Sequence, residues 1–292
     1  WQEKWEASVD QRIGGMGLSI TGYTSTTHDG FASTRQYPIF VYKYDYTVSE
    51  TDPPIKDSLS STYSVYENSL TLDTRGIEAS IKTRPITPLN LRLSIQAAYN
   101  YTYSWNENRY DFRGYIYDTQ LGQRVNPFFN QVTLQRERCY INYNIDFQIK
   151  ELGAWVTLAA QQVVFDKDRY LGLDDSLAIG YLDPYGERVL FTEAERAAIS
   201  SNNYKRTYDD FWYREENRKN LWLFNLRVSK SLGPASEFSF FVNNFFNSRP
   251  LYQRQRTPEE SYTMENPALY FGIEVSSKLD EVFSTRKNSG GR

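Results

Sequence analysis

The chain has 292 residues, 40% of them hydrophobic and 16% aromatic, with 24 Tyr, 17 Phe and 6 Trp, and a net charge of −3. A mean hydropathy of −0.64 and the absence of any run of ~18 apolar residues exclude transmembrane helices, and the charge gives no general attraction to nucleic acid. A single cysteine and a single histidine exclude an intrachain disulfide framework and a multi-cysteine or paired-imidazole metal site, but a membrane β-barrel survives every one of these exclusions because its alternating strands average to a polar hydropathy.

The opening W-Q-E-K-W is neither basic nor followed by an apolar core, so no signal peptide is read there. The chain is expected to start after processing or, the favoured reading, inside a longer protein. Trp5, Ala7, Val9, Gln11 and Ile13 alternate with Glu6, Ser8, Asp10 and Arg12, a first strand. Gly14 to Gly17 supply a tight turn, and Leu18, Ile20 and Gly22 alternate with Ser19, Thr21 and Tyr23 on the way back. Residues 24–74 read as a long excursion rich in Tyr, Ser, Thr and Pro, with a strand extension or hairpin over 37–46. Ile77, Ala79 and Ile81 then oppose Glu78, Ser80 and Lys82, and Pro85-Ile-Thr-Pro88 turns the chain.

The next segment organises the rest. Over 89–105 every odd position is apolar or aromatic, from Leu89, Leu91, Leu93 and Ile95 through Ala97 to Tyr99, Tyr101, Tyr103 and Trp105. The even positions are polar except Ala98. A strand of this length spans roughly 55 Å, well beyond the usual ~17–20 Å. Its aliphatic residues come first and its aromatics gather at one end, as in an interfacial girdle.

A second excursion runs to about residue 131. A strand over 132–149 places Cys139, Ile141, Tyr143, Ile145, Phe147 and Ile149 on one face, with the cysteine read as a small hydrophobe. After a turn at 150–153 the chain returns with Val156, Leu158, Ala160, Gln162 and Val164 in phase. The longest excursion, 170–218, holds one helix start, the capping box T-E-A-E at 192–195. Trp222, Phe224, Leu226 and Val228 form the next oily face, 233–236 turns, and a strand over 238–247 follows. A further excursion leads to a last strand in which Leu269, Phe271, Ile273 and Val275 oppose Tyr270, Gly272, Glu274 and Ser276. Residues 280–292 read as a disordered polar tail.

Short and long connections strictly alternate. In an antiparallel sheet that puts all tight turns at one end and all long loops at the other, the asymmetry of outer-membrane barrels. The fold class expected is therefore all-β, an antiparallel transmembrane barrel segment of about nine long strands over 1–279.

Five segments carry a family resemblance: Y-N-I-D-F-Q-I-K-E-L-G over 143–153, L-A-A-Q-Q over 158–162, L-F-N-L-R-V-S-K-S-L-G over 223–233, F-S-F-F-V-N-N-F-F-N-S-R-P over 238–250 and Y-F-G-I-E-V-S over 270–276. Together they resemble the final barrel strands of Bacteroidetes-type TonB-dependent outer-membrane receptors. The resemblance implies a barrel of twenty-two strands around an N-terminal plug, import of a scarce or bulky nutrient, and energy delivered by an inner-membrane complex. It implies further partners: outer-membrane lipid, the remaining strands and plug on the same or another chain, and a surface lipoprotein lid. The family commonly stops at an aromatic residue closing its last strand, whereas here Leu279 is followed by the tail, or the strand continues to Phe283.

Chemistry-bearing constellations are scarce. His28 lies in a Ser/Thr/Gly stretch and reads as a surface loop residue. Asp166 and Asp168 are spaced as in a calcium loop, but Tyr170 occupies the third ligand position and no Glu follows. Asp174, Asp175, Asp183 and Glu187 could hold calcium, against the reading of a solvated acidic face. No catalytic residue and no cofactor is expected, and no spacing rule selects a glycosidase carboxylate pair. Glu6, Asp10, Arg12, Glu78, Lys82, Arg92, Asp146, Arg227 and Glu274 are expected to face the lumen, as ion pairs or plug contacts. Tyr110, Phe112, Tyr115, Tyr117, Phe128, Phe129, Tyr181, Phe211, Trp212 and Tyr213 are the candidate substrate surfaces, flat rings among polar neighbours, suited to sugars or peptides. The expected function is selective nutrient binding and gated passage at the bacterial outer membrane without covalent chemistry. The alternatives are a soluble or surface-exposed all-β glycan-binding or adhesion module and, third, a glycoside hydrolase.

Overall fold

The computed structural model describes residues 1–87, 90–106, 110–233, 236–257, 259 and 262–277, with the side chains of 32–40, 55–60, 62, 64–65 and 262–263 excepted. Leu89, part of the turn at 85–88 and the tail at 280–292 lie outside these residues. In chain order the strands are β1 (Gln2–Ile13), β2 (Met16–Tyr44), β3 (Ile55–Thr83), β4 (Leu91–Asn106), β5 (Tyr110–Phe112), β6 (Ile116–Asp118), β7 (Gln123–Asn130), β8 (Thr133–Ile149), β9 (Ala154–Leu171), β10 (Gly180–Leu182), β11 (Arg188–Leu190), β12 (Glu216–Ser231), β13 (Ser236–Asn243), β14 (Leu251–Gln253), β15 (Tyr262–Met264) and β16 (Tyr270–Ser277). One short helix, α1 (Glu193–Ala197), precedes β12.

Nine of these strands form one antiparallel sheet in the order β1-β2-β3-β4-β8-β9-β12-β13-β16. Sequential strands are neighbours throughout, as expected where each tight turn closes a hairpin. Gly14, at φ 58°, opens the two-residue turn between the paired Ile13 and Met16. Gly153, also at φ 58°, closes the turn after Lys150–Leu152 with its N–H on the Lys150 carbonyl. The sheet is open, with β1 and β16 as its edges among the described residues.

The register turns each strand's alternation into rows that cross the sheet. Val9, Ile20, Ala79, Ala97, Ile141, Gln162 and Trp222 lie side by side, and so do Leu93, Ile145, Leu158, Leu226, Val242 and Phe271. The neighbouring row on the opposite face is Asp10, Ser19, Ser80, Gln96, Asn142, Gln161 and Leu223. Among the described residues no second layer covers the apolar face: the wall strands touch little besides their sheet neighbours, and Val9, Ile77, Ile273 and Val275 are 57–69% exposed.

The polar face closes over two glycines. A Cβ on Gly76 would lie 2.5 Å from Cζ of Tyr23 and 2.7 Å from the Tyr99 carbonyl oxygen, and one on Gly272 would lie 2.6 Å from Cζ of Phe241. Each ring therefore occupies the space left by the cross-strand glycine, filling the surface and pinning register.

Four expectations need correction. Residues 24–74 are mostly strand: β2 and β3 run for 29 residues each and pair, across several register shifts, from Met16–Thr83 up to Tyr44–Ile55, so the extension expected over 37–46 is the end of one long strand, reached at Tyr44. The upper half stands beyond the other strands, and its Ser-, Thr- and Tyr-rich sequence carries no sustained alternation to read. His28 is consequently in β2, stacked on Trp1 at 4.1 Å. Val164 leaves the apolar phase because a register shift opposite Cys139 and Tyr140 makes it an extra residue, and Phe165 takes the outer position beside Cys139. The strand expected over 238–247 ends at Asn243, where Asn244 and Asn247 adopt φ 49° and bend the chain away.

The true core lies at one end of the sheet. Two long connections, through their described residues 110–132 and 172–215, fold together into a cap whose small sheet has the order β11-β10-β7-β5, with β6 also on β7. Val125, Phe128, Phe129, Ala178, Leu182 and Tyr204 are its buried residues. Tyr42 of the long hairpin donates to the Pro184 carbonyl at 2.9 Å, tying that hairpin to the cap.

Candidate functional site

The cap is held by a few polar ties between segments far apart in sequence. Tyr204 Oη donates to Asp118 Oδ2 at 2.5 Å, and Asp118 Oδ1 accepts the N–H groups of Gln120 and Leu121. Burial works to raise Asp118, but these hydrogen bonds outweigh it and hold the carboxyl below its ordinary range. Burial, and then the bond to Asp118, push the Tyr204 phenol far up. Arg206 pairs with Asp111 at 3.3 Å while lying over the rings of Phe129 and Tyr208. The capping box is formed: Thr192 Oγ1 accepts from the Glu195 N–H, and Glu195 Oε2 accepts from the Thr192 N–H.

Two concavities result. The larger, about 470 Å³, is bounded by residues 117–121 of one long loop and by residues 181–204 of the other. It brings Tyr117 and Tyr181 together with Phe191 and Tyr204. The second, about 360 Å³, lies under the cap against the wall, where Ser104, Leu134 and Tyr170 share the polar face and Tyr208 and Trp212 stand over them.

The candidate aromatics thus separate by environment. Phe128 and Phe129 are 0% and 2% exposed, so their expected substrate role is withdrawn: they are the packing centre of the cap. Tyr110 and Phe112 pack on Phe128 with ring centroids 5.0 and 5.7 Å away. Tyr115, Tyr117 and Tyr213 are half-exposed. Phe211 and Trp212 stack on one another, and Trp212 also meets Tyr170 and Tyr208.

The last long connection is strapped across the upper polar face of the wall. Arg256 pairs with Asp168 and lies over the Tyr170 ring, while its N–H and that of Gln255 bond the Glu216 carboxylate. Tyr252 Oη donates to the same carboxylate at 2.5 Å. Burial and that bond push Tyr252 up to about 12. Burial opposes ionisation of Glu216, but the three donors outweigh it and hold its pKa low. Lower on this face, Asp166 is shared by Arg136 and Arg138 at 2.8 and 2.7 Å. Of these anchors the sequence singles out only Asp166 and Asp168, and for calcium; the ties themselves are not legible, since each joins segments tens of residues apart.

The charged residues expected in the lumen do share one face. Arg12 and Lys82 flank Gly17, Arg92 faces Asp146, Asp10 faces Ser19, Glu6 faces Tyr23, and Glu78 faces Thr21. Arg227 pairs with Glu274 at 3.0 Å, whereas Glu78, Lys82 and Arg92 make no ion pair among the described residues and are exposed. The calcium readings lose their geometry. Asp166 and Asp168 are in a strand and bound to arginines, Asp175 pairs with Arg196, and Asp183 accepts the Tyr185 and Glu187 N–H groups. Among the described residues no cluster of three metal-ligating side chains occurs.

No protein-family model, curated protein or solved structure matches the chain at a significant level.

Proposed function

We propose that this chain forms part of the wall and the outer cap of a TonB-dependent outer-membrane receptor, which binds a nutrient outside the cell and admits it through a plugged barrel. The observation that carries the reading is the apolar face of a nine-stranded antiparallel sheet with no second layer packed against it among the described residues. A β-sandwich needs that face covered by protein. In a bilayer it is covered by acyl chains, with the polar face turned to a wet interior. The tight turns are gathered at one end, and the opposite end carries a folded cap with two concavities.

β1 and β16 both run toward the tight-turn end, so pairing them with each other would be parallel. Neither edge is tolerated bare in hydrocarbon. Antiparallel closure then requires an odd number of further strands, from the same or another polypeptide, and the exposed charges on the polar face are placed to meet a plug. Fractionation of cells producing the protein tests the reading. Recovery in the outer membrane, released only by detergent, is expected; recovery as a buffer-soluble monomer refutes it.

A further inference from the structure

We propose that the larger concavity of the cap is a binding site for an organic ammonium ion carried on a small apolar or aromatic body. Its size, about 470 Å³, falls within the range of small-molecule sites. Its floor carries apolar surface from Leu121, Val189, Phe191, Ala198 and Ile199 among polar groups, Leu190 lies at its rim, and the rings of Tyr117, Tyr181 and Tyr204 border it.

Charge selects the ligand class. The residues lining the concavity include the carboxylates of Asp118 and Glu195 and no Lys, Arg or His. Of the cations in the neighbouring segments, Arg196 pairs with Asp175, Arg113 donates to the Asn202 and Lys205 carbonyls, and Arg124 and Arg188 lie over the Tyr115 and Tyr110 rings. The Tyr181 phenol reports the local field: its pKa is raised first by burial and then by the negative charges of Asp118, Asp183 and Glu195. Negative potential over an apolar floor with ring faces alongside favours a cation whose body is hydrophobic, and repels the matching carboxylate. Tyr181 Oη has no hydrogen-bond partner among the described residues and would accept from the ammonium.

The site gains its biological sense from the receptor reading, but the test is independent of it. The whole protein in a non-ionic detergent is titrated calorimetrically with 2-phenylethylammonium, 2-phenylethanol and phenylacetate. The ammonium is expected to bind at least about tenfold more tightly than the acid, with the alcohol between. Glu195→Gln keeps the capping box, which accepts Gln as well as Glu, and is expected to weaken the ammonium about fivefold while leaving the alcohol unchanged. Leu190→Arg, at a half-exposed position on the rim, places a cation there and is expected to weaken the ammonium about tenfold or more. Acid binding equal to that of the ammonium, ammonium affinity unmoved by both variants, or no binding of any probe overturns the proposal. Detergent-extracted protein that binds none of the probes defeats the pocket and leaves the receptor reading standing. Selective binding by protein recovered as a buffer-soluble monomer does the reverse.

Discussion

At the residue scale the cap depends on polar ties that carry opposite pH signatures. Asp118 has a lowered folded pKa, so its contribution is present above its unfolded value of about 3.9 and is lost as pH falls. Tyr204 has a raised folded pKa, so its contribution is present below about 10 and is lost as pH rises through the folded value. Amide-exchange protection of residues 116–130 is therefore expected to be flat between about pH 5 and 9 and to fall on either side. Tyr204→Phe removes the donor and is expected to lower cap stability by about 1–3 kcal/mol, read in the same exchange experiment. In the wall, Gly76→Val collides with the Tyr23 ring and the Tyr99 carbonyl. The expected cost is about 2–4 kcal/mol, read as a lower unfolding midpoint in detergent; an unchanged midpoint would mean that the ring does not occupy that space.

At the element scale the wall and its loops were unequally legible. The nine wall strands could be read in order because each has one apolar face, and period-two alternation is a local signal. The upper half of the β2–β3 hairpin could not, because its sequence shows no sustained alternation and the pairing partner that makes it a strand lies across a 29-residue arm. The cap was equally hidden. β7 is central to a sheet whose other members come from either side of β8 and β9, so nothing near Phe128 or Phe129 announces that they are buried. Only the capping box at Thr192 gave a local sign of order there. The strap is held in part by the Glu216 carboxylate, beside the Arg256–Asp168 and Arg218–Glu265 pairs, and Glu216→Ala is expected to loosen it around Tyr252, Gln255 and Arg256. Three donors lose their acceptor, about 1–3 kcal/mol, and tryptic cleavage after Arg254 and Arg256 is expected to accelerate. Facing can be tested on β8 alone. Ile141→Arg is expected to cost about 2–4 kcal/mol and to impair insertion, and Asn142→Arg, one residue on, close to nothing.

At the scale of the whole molecule two kinds of packing coexist. The cap has an interior of its own, whereas the wall is a single layer whose side chains, below the cap and the strap, meet mainly neighbours along the same face. In the proposed receptor, the bilayer supplies the second layer for the apolar face and water for the polar one. The measurement that bears on this most directly is lipid quenching along β4. Single cysteines at residues 93–98, in a Cys139→Ser background, would carry a fluorophore in reconstituted membranes containing doxyl lipid. Strong quenching at Leu93, Ile95 and Ala97, and weak quenching at Ser94, Gln96 and Ala98, is the predicted pattern. Uniform quenching along the strand, or none at any position, would contradict it.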